Sequence, residues 1–151
     1  MAETTGTIAQ LNELIKGIDT AVLTTVRPDG TLHSCPMASH AADDRGVLWF
    51  ISHNNSEKVE AVRTNQRVNL AYVSHLSQRY VSISGFCELM RDHALAKTLW
   101  HPGYASWLPG GVDDPGLVLL KVDIQQAEYW DAARGRMVPL LGFRGSPKIG
   151  L

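Results

Sequence analysis

The stretch Ser52-His53-Asn54-Asn55-Ser56-Glu57-Lys58 is where residue types and spacing best suit a chemical task. It leaves the apolar run Val47-Leu48-Trp49-Phe50-Ile51 and enters a short helical pattern with Val59, Ala61 and Val62 on one side. A helix start presents unpaired N–H groups and a partial positive charge. Hydroxyls at Ser52 and Ser56, with the ammonium of Lys58, would make that start a phosphate cradle. The simpler reading of the same residues is a cap from Asn55 or Ser56 beside a solvated Lys58. Aromatic residues offer a second candidate. Trp49 reads as core, Trp100 and Trp107 flank a Gly/Pro-rich loop over residues 102–116, and Trp130 ends an apolar run. A loop tryptophan must pack on something: the body of the protein, a second subunit, or a flat aromatic cofactor.

Other chemistries lack their signatures. There is no GxGxxG, no GxxxxGK[ST] and no HExxH pattern. The six histidines have no ligand spacing with acids or cysteines and read as surface or satisfied residues. Ser82-Ile83-Ser84-Gly85 lacks the glycine pair of a nucleophile elbow. Cys35, unpaired in an apolar strand, reads as inert. Asp113-Asp114 before Pro115 reads as a solvated turn rather than a cation site. No catalytic residue and no metal ligand is assigned.

The elements that must position these residues follow from periodicity. Ile8, Leu11, Ile15 and Ile18 recur at helical spacing, and Thr7 with Gln10 forms a capping-box pattern. Strands are expected over residues 20–26, 32–39, 47–51, 68–73, 80–90, 117–122 and 127–130. Pro36 makes the second irregular there or places it at an edge, and Gly85 marks a bulge or a close backbone approach in the fifth. Turns fall at Arg27-Pro28-Asp29-Gly30 and Asp43-Asp44-Arg45-Gly46. Asn65 stops the helix after Lys58, and Asp92 caps another carrying Leu95, Leu99 and Trp100. Seven strands joined mainly by hairpins imply a mainly β, antiparallel, closed or partly closed barrel.

The whole chain agrees with one soluble domain over residues 1–151, its ends (1–6 and about 142–151) loosely ordered. It has 151 residues, 44% hydrophobic and 19% charged, enough apolar content for a core and too much for disorder. Lys plus Arg total 14 against 15 Asp plus Glu, with no basic excess to suit a nucleic acid. No apolar run suits a membrane span, and the first residues do not read as a signal peptide. The two cysteines are too few and too distant for a disulfide framework or zinc site, so a cytoplasmic location is expected.

Several of these segments together resemble a known family. Asp29-Gly30, Pro36-Met37, Leu48-Trp49-Phe50, Ser56-x-Lys58-Val59 and Tyr80-Val81-Ser82-Ile83-Ser84-Gly85 resemble the FMN-binding split barrels of the pyridoxamine 5′-phosphate oxidase-like superfamily. Leu99-Trp100-His101-Pro102, the run from Trp107 to Pro115, Leu117-Val118-Leu119-Leu120-Lys121-Val122 and Ala127-Glu128-Tyr129-Trp130-Asp131 resemble its general stress protein 26 branch. The resemblance spans residues 8–150 and implies a six-stranded antiparallel split β-barrel. It implies a homodimer with two flavin sites at the subunit interface. By that likeness Ser56 and Lys58 hold the FMN phosphate, with Ser52 at the end of the strand feeding the site. The backbone around Cys35, Pro36 and Met37 lies along the isoalloxazine edge. Tyr80 and Ser82 match the strand that approaches the flavin from the other subunit, and Trp107 and Trp130 border the ring.

The resemblance implies an FMN-binding (alternatively FAD-binding) stress flavoprotein with oxidoreductase activity. The alternatives are flavin binding for storage or sensing without turnover, or a split barrel using deazaflavin or haem. Two departures bear on it. Cys35 stands where stress proteins of this branch often carry Arg, and His40 falls near a lysine of the oxidases. The tail Gly142-Phe143-Arg144-Gly145-Ser146-Pro147-Lys148 has no Arg/His segment like that of true pyridoxamine phosphate oxidases, so vitamin B6 oxidation is not expected.

Overall fold

A computed structural model describes residues 6–142; residues 1–5 and most of the closing tail, 143–151, lie outside the described residues. Gly6, counted with the leading tail, is tied down: its N–H donates to the Leu140 carbonyl at 3.1 Å.

Helix α1 (Ile8–Ile15) opens with the expected capping box, Thr7 accepting from Gln10 N–H while the Gln10 amide oxygen accepts from Thr7 N–H. The chain then runs through β1 (Thr20–Val26), β2 (Leu32–Ala38), β3 (Val47–His53), α2 (Glu57–Thr64), β4 (Arg67–Ser74), β5 (Arg79–Met90) and α3 (His93–Leu99). A loop with two single 3₁₀ turns leads to β6 (Leu117–Asp131) and β7 (Arg136–Leu141). No described helix is long and apolar enough to cross a membrane.

The seven strands form one antiparallel sheet in the order β2-β1-β4-β5-β6-β3, with β7 added to β6. The two ends of that path, β2 and β3, approach each other without pairing. The result is a split β-barrel. Pro36 sits on β2, which pairs only with β1, so its missing N–H costs no ladder bond. The β5 ladder shifts register between Ser84 and Gly85, the expected bulge.

The C-terminal third corrects the sequence reading. Residues 117–131 form one strand, not two, although Asp123, Gln125 and Gln126 interrupt the apolar pattern. Pairing to β5 carries the ladder through those polar residues. Residues 136–141, not expected as a strand, pair with β6 despite Pro139. Seven strands are therefore observed: the first five are those expected, and the last two are divided differently.

Two apolar layers account for the burial. Leu23, Leu48, Phe50, Leu70, Tyr72, Ile83, Leu120 and Val122 fill the barrel with α1 and α2 side chains. Val47, Trp49, Ile51, Leu117 and Leu119 form the outer layer, covered by Ala96, Tyr104 and Leu108. β3 supplies alternating residues to both layers, which is why its six residues from Val47 to Ser52 are all buried. Its last turns deliver Ser52 and His53 to the split.

Candidate functional site

A cleft of about 570 Å³ occupies the split. Pro36, Met37 and Ala38 of β2 line one side, and Ile51, Ser52 and His53 of β3 the other. Ser56 and Lys58 enter from the start of α2. Asp19 and Thr20 lie at the head of β1, and His101, Gly103, Tyr104 and Trp107 form the loop wall.

Ser56 occupies the N-cap position of α2 with extended backbone, but its side chain caps nothing. Its hydroxyl lies 3.1 Å from that of Ser52, which is only 2% exposed. The orphan amides of the first turn thus have no side-chain acceptor, and two hydroxyls and an ammonium gather beside them in the cleft. Glu57 puts a carboxylate in the same turn. Arg27 Nε donates to its Oε1 at 2.6 Å, and this bond holds the Glu57 carboxyl below its usual range. Cys35, half-buried on β2, feels both Lys58 and Glu57. Burial outweighs the Lys58 charge and pushes its thiol up.

Two cleft histidines are oriented by backbone amides. His53 Nδ1 accepts from Asn55 N–H at 3.1 Å, and His101 Nδ1 accepts from Gly103 N–H at 3.0 Å. Each neutral ring therefore carries its proton on Nε2. His53 Nε2 lies 4.0 Å from Asp114, whose carboxyl is held below its usual range first by the Gly116 amide. A Cβ at Gly116 would meet the His53 ring, so a side chain there would push that imidazole aside.

Tyr104 is the hub of the loop wall. Its ring centre lies 5.4 Å from Trp100 and 5.0 Å from Trp107, which remains 43% exposed. Its hydroxyl lies 2.6 Å from His40 Nε2. Burial, then the neighbouring His101, depresses the His40 pKa, so the pair is neutral at pH 7.

Of the residues singled out in the sequence, Pro36, Met37, Ser52, Ser56, Lys58 and Trp107 meet in this cleft. Cys35 adjoins it through β2. Tyr80, Ser82 and Trp130 do not line it. They alternate with the core residues Val81, Ile83 and Tyr129, and so lie on the opposite face of the sheet. There Ser82 Oγ accepts from Asn69 Nδ2 at 3.0 Å. Sequence reasoning missed Thr20, His53, His101 and Tyr104 as cleft residues. His101-Pro102 lay inside the resembling segment and could have drawn attention to the loop wall; the Tyr104–His40 bond joins residues 64 apart and left no local pattern.

Comparison with known proteins agrees with this architecture. Over 109 residues the chain is 24% identical to Protein bli-3 of Neurospora crassa, matching 66% of this chain and 52% of that one. The chain thus spans about half the length of that curated relative. General Stress Protein 26 from Bacillus anthracis str. Sterne superposes with TM-score 0.75 at 26% identity, over 88% of this chain and 98% of that one. The general stress FMN/FAD binding protein of Xanthomonas citri gives TM-score 0.68 at 29% identity, over 89% and 92%. The family model described as pyridoxamine 5′-phosphate oxidase like matches residues 6–146. The chain belongs to the pyridoxamine 5′-phosphate oxidase-like family of split barrels, with general stress protein 26 among its structural relatives.

Proposed function

We propose that this chain binds FMN in the split and acts as a stress-type flavoprotein, with FAD as the alternative ligand. The observation that carries this reading is the uncapped start of α2, where Ser52, Ser56 and Lys58 converge in the cleft. Phosphate would lie against those groups and the first-turn amides. The ring would run along Pro36 and Met37 toward Trp107. A flavin, when bound, supplies the electron chemistry; the protein supplies binding, orientation and electrostatics.

The same reading makes the protein a homodimer. On the outward face Val22, Thr24, Asn69, Ala71, Val73, Ser82 and Ser84 form an uncharged patch bordered by Arg67 and Glu128, and Val22 and Val73 are 39% and 53% exposed. Pro36 follows Val22 in register, so this face reaches the cleft. A second copy seated there would bring its own Tyr80 and Ser82 toward the ligand, and this is the role proposed for those two residues and for Trp130.

Titration of the purified protein with FMN, followed by flavin absorbance and fluorescence, tests the binding. The expected result is a perturbed spectrum saturating at micromolar concentration; unshifted bands at that concentration would sink the proposal. Consumption of NAD(P)H with an electron acceptor then separates an oxidoreductase from a protein that stores or senses flavin, which would bind equally and consume none.

A further inference from the structure

The ion pair between Arg27 and Glu57 has a position that simple surface pairing does not require. Arg27 belongs to the β1–β2 turn, whereas Glu57 opens α2 beside Lys58. Only the Arg27 Nε is bonded, to Glu57 Oε1 at 2.6 Å; its two terminal amino groups have no hydrogen-bond partner among the described residues. The other Glu57 oxygen lies 3.5 Å from His33 Nε2. Glu57 thus ties the guanidinium of the β1–β2 turn to the first turn of α2, next in the chain to Lys58.

Glu57 therefore does two opposing things. Its charge suits the positive end of the helix but repels an incoming phosphate. It also holds a guanidinium one side chain away from the first turn of α2, although neither Arg27 nor Glu57 lines the cleft itself. A guanidinium with free terminal amino groups can bind a phosphate with paired donors.

We propose that Arg27 is a second cation of the phosphate site, held in reserve by Glu57, and that an entering phosphate competes with Glu57 for it. The inference rests on the phosphate reading of the Ser52, Ser56 and Lys58 cluster and adds a specificity-determining pair to it. Because the ligand must outbid a carboxylate, a dianionic phosphomonoester gains most from Arg27. A ligand without phosphate gains nothing.

Equilibrium titration of FMN and riboflavin against the wild-type protein and Lys58→Ala, Arg27→Ala, Glu57→Gln and the double variant Arg27→Ala/Glu57→Gln provides the test. Arg27→Ala is expected to weaken FMN about tenfold and to leave riboflavin unchanged. Glu57→Gln is expected to strengthen FMN by freeing the guanidinium. That gain should vanish in the double variant, which separates release of Arg27 from mere removal of a negative charge. A gain that persists without Arg27, or FMN affinity indifferent to Arg27→Ala while Lys58→Ala still weakens it, overturns this proposal alone. Equal wild-type affinity for FMN and riboflavin overturns the phosphate cradle and the Arg27 role together. Both positions are exposed, and circular dichroism of each variant verifies folding.

Discussion

The phosphate role proposed for Lys58 draws on Ser56, whose side chain makes no cap bond to the helix it precedes. The hydroxyl's bond to Ser52 leaves the first-turn amides open and adds a donor to the cleft. Lys58→Ala should therefore weaken FMN by about tenfold while riboflavin binding holds, since only FMN carries the phosphate. Parallel titrations check it, and equal losses for both ligands would contradict the assigned role. His40 makes a second prediction at this scale. Burial lowers its folded pKa below the unfolded value of 6.5, so the unfolded chain binds more protons as pH falls. The stability from the neutral His40–Tyr104 pair is full above pH 6.5 and is lost as pH drops through the depressed folded pKa. Thermal melts from pH 8 to 5 should show Tm falling on acidification, with a shallower fall in His40→Gln. An identical slope in the variant would show that other groups carry the dependence.

Elements built on local chemistry could be read from the chain, and those built on distant partners could not. The Thr7–Gln10 box, the β1 limits, the Pro36 edge, the Gly85 bulge and the Asn65 stop each depend on a few neighbouring residues. Residues 123–126 looked like a break because their polarity hides the β5 partner that holds them. Arg136–Leu141 was not expected as a strand, yet it is a short strand that contains Pro139 and pairs with β6 alone. The cleft divides the same way. Ser52, Ser56 and Lys58 share one local segment, but Tyr104 and His101 join it only through the closed fold. The Gly85 bulge yields the element-scale prediction. A Cβ there would overlap the Asp123 backbone carbonyl, which cannot swing aside as a side chain tip could. Gly85→Ala should cost about 1–3 kcal/mol in chemical denaturation. An unchanged midpoint would mean that the β5–β6 ladder can slide at this point.

The whole molecule presents a barrel open along one seam and, bordered by Arg67 and Glu128, an uncharged patch of one sheet face that reaches it. Such a face on an isolated chain leaves Val22 and Val73 in water. Sedimentation of the wild-type protein should give the mass of two chains. Val73→Asp, which places like charges opposite each other across a two-fold contact, should give single chains with weakened flavin binding. A wild-type protein sedimenting as one chain, with full flavin affinity, would remove the second subunit from the site.

β6 pairs with β3, β5 and β7. During synthesis the β1–β2 hairpin can form as soon as it emerges, yet β3 stays without its ladder partner until residues 117–123 have left the ribosome. Nascent chains stalled before Leu117 would thus expose an apolar ribbon from Val47 to Ile51. For that interval the polypeptide depends on dilution or a chaperone rather than on its own architecture.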